Sequence, residues 1–250
     1  TYVWSSRPLL DAAQRSKELD ALRAAGMRRI YLGLDASQVA SLADTKRALG
    51  QVIVQAEARG IAVSLLLGEP QWLVPEHRDN LIALIRSLAD LPFASLHLDL
   101  EVEQLGWPVP DSRLTLWLDT LRAVQKVSPW PIELSSHPRW FDAPKNNSPC
   151  IPCQLPQLGV TTVSLMIYTR NTDRSTALML AAAHRWPALK FRLAQSIEPE
   201  LTQQESWSTA NVSQIRDSMS KWRKALGSSG ILGVDWQAWA DYRRHDASNR

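Results

Sequence analysis

The segment Ser95-Leu-His-Leu-Asp-Leu-Glu101 holds the densest chemistry in the chain. Strand side chains alternate faces, so Leu96, Leu98 and Leu100 share one side while His97, Asp99 and Glu101 share the other. With the leucines against an apolar layer, the three polar groups stand in file on the opposite face. Two carboxyl groups two residues apart, about 7 Å along a strand, repel each other and share one degree of burial. One of them is expected to keep its proton near neutral pH, which is what a general acid needs. Burying two acids without a use for them is expensive, so the arrangement points to catalysis rather than to a polar ladder. His97, deepest in the file, reads as a hydrogen-bonded core histidine.

Such a file needs a frame that turns it inward. Short β-rich runs alternate with amphipathic runs along all 250 residues. The strands are expected at Tyr2–Trp4, Arg29–Leu34, Ala62–Leu67, Ser95–Leu100, Ile132–Ser135, Thr162–Ile167, Lys190–Gln195 and Ile231–Asp235. They recur at the length of one βα unit. Between them, Leu81, Leu84, Ile85 and Leu88 form a helical stripe, as do Leu114, Trp117, Leu118, Leu121 and Val124, and Val212, Ile215, Met219, Trp222 and Leu226. Eight units without a linker or a composition break predict one (β/α)8 barrel over residues 1–250, with a long loop at 137–156 after the fifth strand. A doubly wound sheet would want a glycine-rich first turn, and the chain has Trp-Ser-Ser-Arg-Pro there.

In such a barrel the working residues lie at the C-terminal ends of the strands. Read in order, those ends carry Trp4, Asp35, Glu69, Asp99 with Glu101, His137, Tyr168, Gln195 with Glu198, and Asp235 with Trp236. The set is acidic and aromatic. The chain has 11 Trp against 3 Phe and 4 Tyr, and a tryptophan face suits the C–H patches of a sugar ring. Trp4, Glu69, His137, Trp140, Gln195, Asp235 and Trp236 are therefore expected to line a carbohydrate site. The loop after strand five, with Arg139, Trp140, Lys145, Asn146 and Asn147, is expected to wall one side of it.

Other classes fit less well. Net charge is +3, from 28 basic and 25 acidic residues, and no basic block suited to nucleic acid occurs. No apolar run reaches the ~20 residues of a membrane span. His97, Asp99, Glu101 and His137 are possible metal ligands, but there are only five histidines and no His-x-His pair, so no metal is assigned and no cofactor is implied. Cys150 and Cys153 lie three residues apart in a proline-rich loop. A loop-stapling disulfide is favoured over free thiols or a metal pair, which suits an oxidising compartment and an exported protein. The chain begins at Thr1 with neither an initiator Met nor a signal-like stretch, as a removed leader or a trimmed chain would leave it.

His97-Leu-Asp99-Leu-Glu101 resembles the latter half of the fourth-strand motif of chitinase-like, family 18 glycoside hydrolases, Asp-x-x-Asp-x-Asp-x-Glu. Met166-Ile-Tyr168 resembles their sixth-strand Met-x-Tyr-Asp, and Trp236 a tryptophan at the end of strand eight. The fourth strand is also similar to the His-x-Asp-x-Glu of bacterial polysaccharide-locus barrels. The resemblance implies a glycoside hydrolase of polysaccharides or oligosaccharides, with N-acetylated amino sugars among the substrates. Glu101 would protonate the glycosidic oxygen, Asp99 would orient and polarise the nucleophilic N-acetyl group, Tyr168 would hydrogen-bond it, and Trp236 would lie under the sugar. The chain departs from the motif at Ala94, His97 and Thr169, where the family has Asp. This leaves room for a two-carboxylate mechanism, with Glu198 as first choice of partner and Asp235 as second. The rival readings are a carbohydrate-binding barrel without catalysis and a metal-dependent hydrolase or lyase.

Overall fold

In a computed structural model that describes residues 1–144 and 148–248, the chain is a (β/α)8 barrel. Lys145, Asn146 and Asn147 of the expected loop wall lie outside the described residues. The strands are β1 (Tyr2–Val3), β2 (Arg29–Gly33), β3 (Ala62–Leu67), β4 (Leu96–Leu98), β5 (Ile132–Ser136), β6 (Val160–Met166), β7 (Lys190–Ser196) and β8 (Val234–Gln237). They pair in parallel in the order β1 to β8. At the seam Thr1 Oγ1 donates to the Trp236 carbonyl at 2.7 Å. Helices follow the strands: α1 (Arg15–Ala24), α2 (Leu42–Glu57), α3 (Pro75–Leu88), α4 (Asp111–Gln125), α5 (Ile151–Gln154), α6 (Thr172–Arg185), α7 (Val212–Leu226) and α8 (Trp239–Ser248).

The helical stripes form for the reason their spacing implies. Leu81, Leu84, Ile85 and Leu88 of α3 and Leu114, Trp117, Leu118, Leu121 and Val124 of α4 are all buried against the outer faces of the strands. On α7, Ile215, Trp222 and Leu226 are buried there, with Met219 partly so. Caps define the ends: the Asn211 side chain accepts from the Gln214 amide while the Gln214 side chain accepts from the Asn211 amide, opening α7. Gly26 ends the α1 segment with φ +79°, a left-handed conformation that a Cβ would strain.

Two apolar clusters separate inside from outside. Leu96, Leu98 and Leu100 belong to the large cluster between sheet and helices. Tyr2, Tyr31, Leu66, Met166 and Ala194 form a second cluster within the barrel, with Tyr168 packed against it. This parity sends His97 and Asp99 inward. The loop after β5 contains a 3-10 turn (Pro138–Phe141), α5 and a second turn (Pro156–Leu158), so it is structured over much of its length. Cys150 and Cys153 are joined there by a disulfide.

Three strand boundaries differ from expectation in ways that matter. β4 ends at Leu98, and Glu101 opens a 3-10 turn (Val102–Leu105). β6 starts two residues early, at Val160. β8 starts at Val234 rather than Ile231, so Trp236 falls within the strand instead of beyond its end.

Candidate active site

At the base of the barrel the inward charges are paired. Arg192 Nε and Nη2 donate to Asp235 Oδ2 and Oδ1 at 2.7 and 2.9 Å. Tyr31 and Ser164 hydroxyls add bonds to Asp235 Oδ2 at 3.0 and 3.2 Å. Burial alone would raise the Asp235 ionisation, but the guanidinium outweighs it and holds this carboxyl well below the ordinary range. Arg29 similarly reaches Glu133 at 3.2 Å, with the hydroxyls of Ser64 and Ser95 beside it. Asp235, expected among the substrate-binding residues and as a second catalytic acid, is thus a saturated partner of Arg192. A cavity of about 1110 Å³ opens at this end, bounded by Arg29, Arg192 and Asp235, away from the carboxyl groups that lack cations.

The upper end differs. Asp99 is 5 % exposed, and its Oδ1 has no hydrogen-bond partner. Burial, then the charge of Glu101, push its ionisation up to about 8, the Ser135 hydroxyl opposing them and Glu198 and Glu103 adding smaller upward pushes. Glu101 is raised by burial, reinforced by Glu103 and Glu198 and opposed by Gln104, whose Nε2 donates to Glu101 Oε1 at 2.5 Å. Glu198 is raised by burial too, although Ser196 donates to its Oε2 at 2.8 Å. Tyr168 is held above its usual range by burial and by Tyr2, Asp99, Glu198 and Glu101, so its phenol keeps its proton and remains a donor. Asp99, Glu101, Tyr168 and Glu198 all follow the C-terminal ends of parallel strands β4, β6 and β7, which puts them at the same end of the barrel.

Trp4 supplies the apolar surface beside them. Its indole lies across two strand ends that carry glycine. A Cβ on Gly68 would come within 2.7 Å of Trp4 Cη2 and 3.2 Å of the Asp99 carbonyl, and one on Gly33 within 3.4 Å of Trp4 Cε3. The ring is stacked at 19° to Tyr2 below it and is 37 % exposed. Gly68 admits this flat approach, whereas a methyl at Gly33 would make ordinary contact, and a glycine just past strand three opposite a strand-one tryptophan is a signal that sequence reading passed over.

The other expected residues spread out. Trp236 points away from the mouth: it packs edge-on to Trp207 and Trp222 among the helices and is buried. Its expected place under a sugar is corrected, because inward Asp235 forces the next side chain outward. Gln195 is likewise outward. It donates to the Ile167 carbonyl at 2.5 Å and accepts from Trp207 Nε1 at 2.9 Å, so its role is to tie loops together. Glu69 is exposed and caps a short turn by accepting from the Gln71 amide, beside a cleft of about 700 Å³ that Trp4 and Trp72 also line. His137 accepts from Arg139 Nε at 2.9 Å, and burial and that arginine lower its ionisation. Trp140 donates to Glu103 Oε1 at 2.7 Å and, with Trp107, Arg139 and the disulfide loop, bounds a cavity of about 340 Å³ that Asp99, Glu101 and Glu198 do not line. Gln237, buried on the inward parity of β8, was missed; its Oε1 is unpartnered. Among the described residues, no group of three or more His, Cys, Asp or Glu is arranged to hold a metal ion, and no helix is long and apolar enough to cross a membrane.

No family model and no curated protein matches the chain. Solved structures do. A complex of a GH113 beta-1,4-mannanase is similar with a TM-score of 0.63 and 12 % identity, over 95 % of this chain and 86 % of that one. The PgaB (BpsB) glycoside hydrolase domain from Bordetella bronchiseptica has a TM-score of 0.55 and 13 % identity over 97 % and 96 %. A sugar phosphate isomerase/epimerase from Parabacteroides distasonis has 0.53 and 10 % over 98 % and 89 %. At these identities the likeness is one of fold, a barrel that glycoside hydrolases share with isomerases.

Proposed function

We propose that the protein is a carbohydrate-active enzyme, a glycoside hydrolase that cleaves a polysaccharide or oligosaccharide at the mouth of the barrel. One observation carries this: Asp99, Glu101 and Glu198 are all raised by burial and form no ion pair with a described residue. Acids kept for structure would be matched to cations, as Asp235 is. Acids whose ionisation is raised hold their proton to higher pH and are suited to proton transfer. The glycoside hydrolases among the similar barrels agree with this reading.

In the proposed reaction Glu101 gives its proton to the glycosidic oxygen as the bond to the anomeric carbon breaks. Water then adds to that carbon and its proton passes to a carboxylate. Glu198 is the candidate second carboxylate. With N-acetylated sugars, the substrate carbonyl oxygen would take the nucleophile's part, with the acetamido N–H oriented and polarised by the Asp99 carboxylate and the group hydrogen-bonded by the Tyr168 phenol. Trp4, rather than Trp236, would lie against the sugar ring, with Trp140 and His137 at the rim.

Glu101→Gln keeps the shape and removes the transferable proton. It is expected to lower turnover by roughly 10²- to 10⁴-fold, the usual worth of a general acid, while oligosaccharide affinity holds. Release of reducing ends from a panel of microbial exopolysaccharides measures the first, and calorimetric binding the second. Undiminished turnover would remove Glu101 from the role. Binding by the wild type with no hydrolysis at any pH would favour a carbohydrate-binding barrel.

A further inference from the structure

Beneath Asp99 lies a chain of polar groups inside the barrel. His97 of β4 is in register with Glu133 of β5, which sets Asp99 beside Ser135 one step higher on the same inward face. Ser135 Oγ is 2.7 Å from His97 Nε2 and 2.8 Å from the Tyr2 hydroxyl. That phenol is itself 3.3 Å from Nε2. On the other side of the ring, His97 Nδ1 faces Glu133 Oε2 across a long 3.5 Å contact, and neither atom has another hydrogen-bond partner. Glu133 Oε1 is in turn held by Arg29.

The protons can be assigned from chemistry. Burial lowers the His97 ionisation, so the ring is neutral. Burial pushes Glu133 the other way, but His97 and Arg29 outweigh it and keep that carboxylate charged. A neutral imidazole facing a carboxylate carries its proton on the facing nitrogen, here Nδ1, which leaves Nε2 as an acceptor. With the Tyr2 hydroxyl donating to Ser135 Oγ, the Ser135 proton has two remaining acceptors, His97 Nε2 and the Asp99 carboxyl beside it in register.

We propose that Ser135 is the pivot of a positioning relay, Glu133–His97–Ser135, which serves Asp99 from below by turning one hydroxyl proton between His97 Nε2 and Asp99. With Asp99 protonated, Ser135 donates to Nε2. When Asp99 ionises, Ser135 turns to it and the Tyr2 hydroxyl takes over at Nε2. No covalent bond changes; only donors rotate. The relay rests on the functional reading of Asp99 above, and it makes Ser135, His97, Tyr2 and Glu133 positioning residues. The other groups facing Asp99 are Glu101 and Glu103 from the same stretch, Tyr168 after β6 and Glu198 after β7. All three of these carboxyls raise its ionisation, whereas Ser135 is the group that lowers it.

The test needs no substrate. In protein carrying ¹³C-carboxyl aspartate, with the Asp99 signal assigned through Asp99→Asn, the pH midpoint of Asp99 is read directly. Ser135→Ala should raise that midpoint by about one pH unit, a roughly ten-fold change in ionisation constant. Ser135→Thr, which restores a hydroxyl, should bring it back. Tyr2→Phe, which removes the group that replaces Ser135 at Nε2, should raise it by a smaller step. Ser95→Ala, whose hydroxyl bonds Ser64 at 2.7 Å lower in the barrel, should leave it in place. An unmoved midpoint in both folded Ser135→Ala and Tyr2→Phe overturns the relay, as does an equal shift in Ser95→Ala. Since the titration is independent of turnover, its failure leaves the Glu101 experiment intact, and an absence of hydrolysis leaves the titration intact.

Discussion

Asp235 and Asp99 sit in the same barrel and are buried almost equally, at 1 % and 5 % exposure, yet their ionisations move in opposite directions. Burial penalises both carboxylates. The difference lies in what surrounds them. Asp235 meets a bidentate guanidinium and two hydroxyls. Asp99 faces three further acids and a phenol, and its own Oδ1 is left without a hydrogen-bond partner. The base of the barrel is electrostatically finished, and the mouth is not. A fold can leave a site poised for proton transfer only if its other buried charges are balanced elsewhere.

The largest effect on stability should come from the finished end. Asp235→Ala leaves Arg192 buried with no counter-charge, a loss of the kind that costs about 3–5 kcal/mol. For a chain of this length that corresponds to a fall of roughly 10 °C in the unfolding midpoint, measurable by calorimetry. A fall of only a degree or two would mean that water reaches Arg192 freely, and that the two ends are less different than their contacts indicate.

The unfinished end should respond with the opposite sign. Between about pH 4, where an unfolded aspartate ionises, and about pH 8, native Asp99 holds a proton that the unfolded chain has released. The native state therefore binds more protons, and its stability declines as pH rises through that window. Asp99→Asn removes the dependence. Its gain should be absent near pH 4 and grow to roughly 2 kcal/mol by pH 8, discounted from full burial because the mouth is open to water. Urea unfolding of both proteins at pH 5 and pH 8 tests this. An Asn variant less stable than the wild type at pH 8 would make Asp99 a satisfied structural acid like Asp235.

Much of this contrast was legible in the residues of β4, because three leucines alternating with three polar groups leave one orientation open to the strand. The same parity was available on β7 and was overlooked. Phe191 and Leu193 belong to the outer cluster, which puts Gln195 with them and turns Arg192, Ala194 and Ser196 inward. On β8 the apolar run Ile231-Leu232-Gly233-Val234 looks like strand from its first residue. The ladder starts only at Val234, past Gly233 at φ +148°, where a Cβ would come within 3.4 Å of Arg192 Nη2. Three residues of slippage turned Trp236 from an outer-layer side chain into an apparent rim residue. A tryptophan is equally apolar in either place, and its neighbours Trp207 and Trp222 come from the connection between β7 and β8, where only the packed fold brings the three rings together. Such pairing is set by tertiary packing and leaves no local mark. The loop after β5 hides its structure for a similar reason, since its turns are fixed by contacts such as Trp140 with Glu103.

The smallest predicted effect separates the two tryptophans once given the same job. Trp4 is 37 % exposed, with Tyr2 stacked against it, Gly68 beneath it and a cleft at its side, so part of its ring is available. Trp236 is 3 % exposed and engaged by Trp207, Trp222 and Tyr242. Trp4→Ala should therefore weaken oligosaccharide binding by about 1 kcal/mol, roughly five- to ten-fold in affinity, with little change in unfolding midpoint. Trp236→Phe should do the reverse, lowering the midpoint and sparing affinity. Gly68→Ala refines the distinction, because its methyl would collide with the Trp4 indole and tilt the ring without deleting it. Affinity lost in Gly68→Ala to the same extent as in Trp4→Ala would show that the flatness of the ring, rather than its mere presence, is what a sugar meets at this mouth.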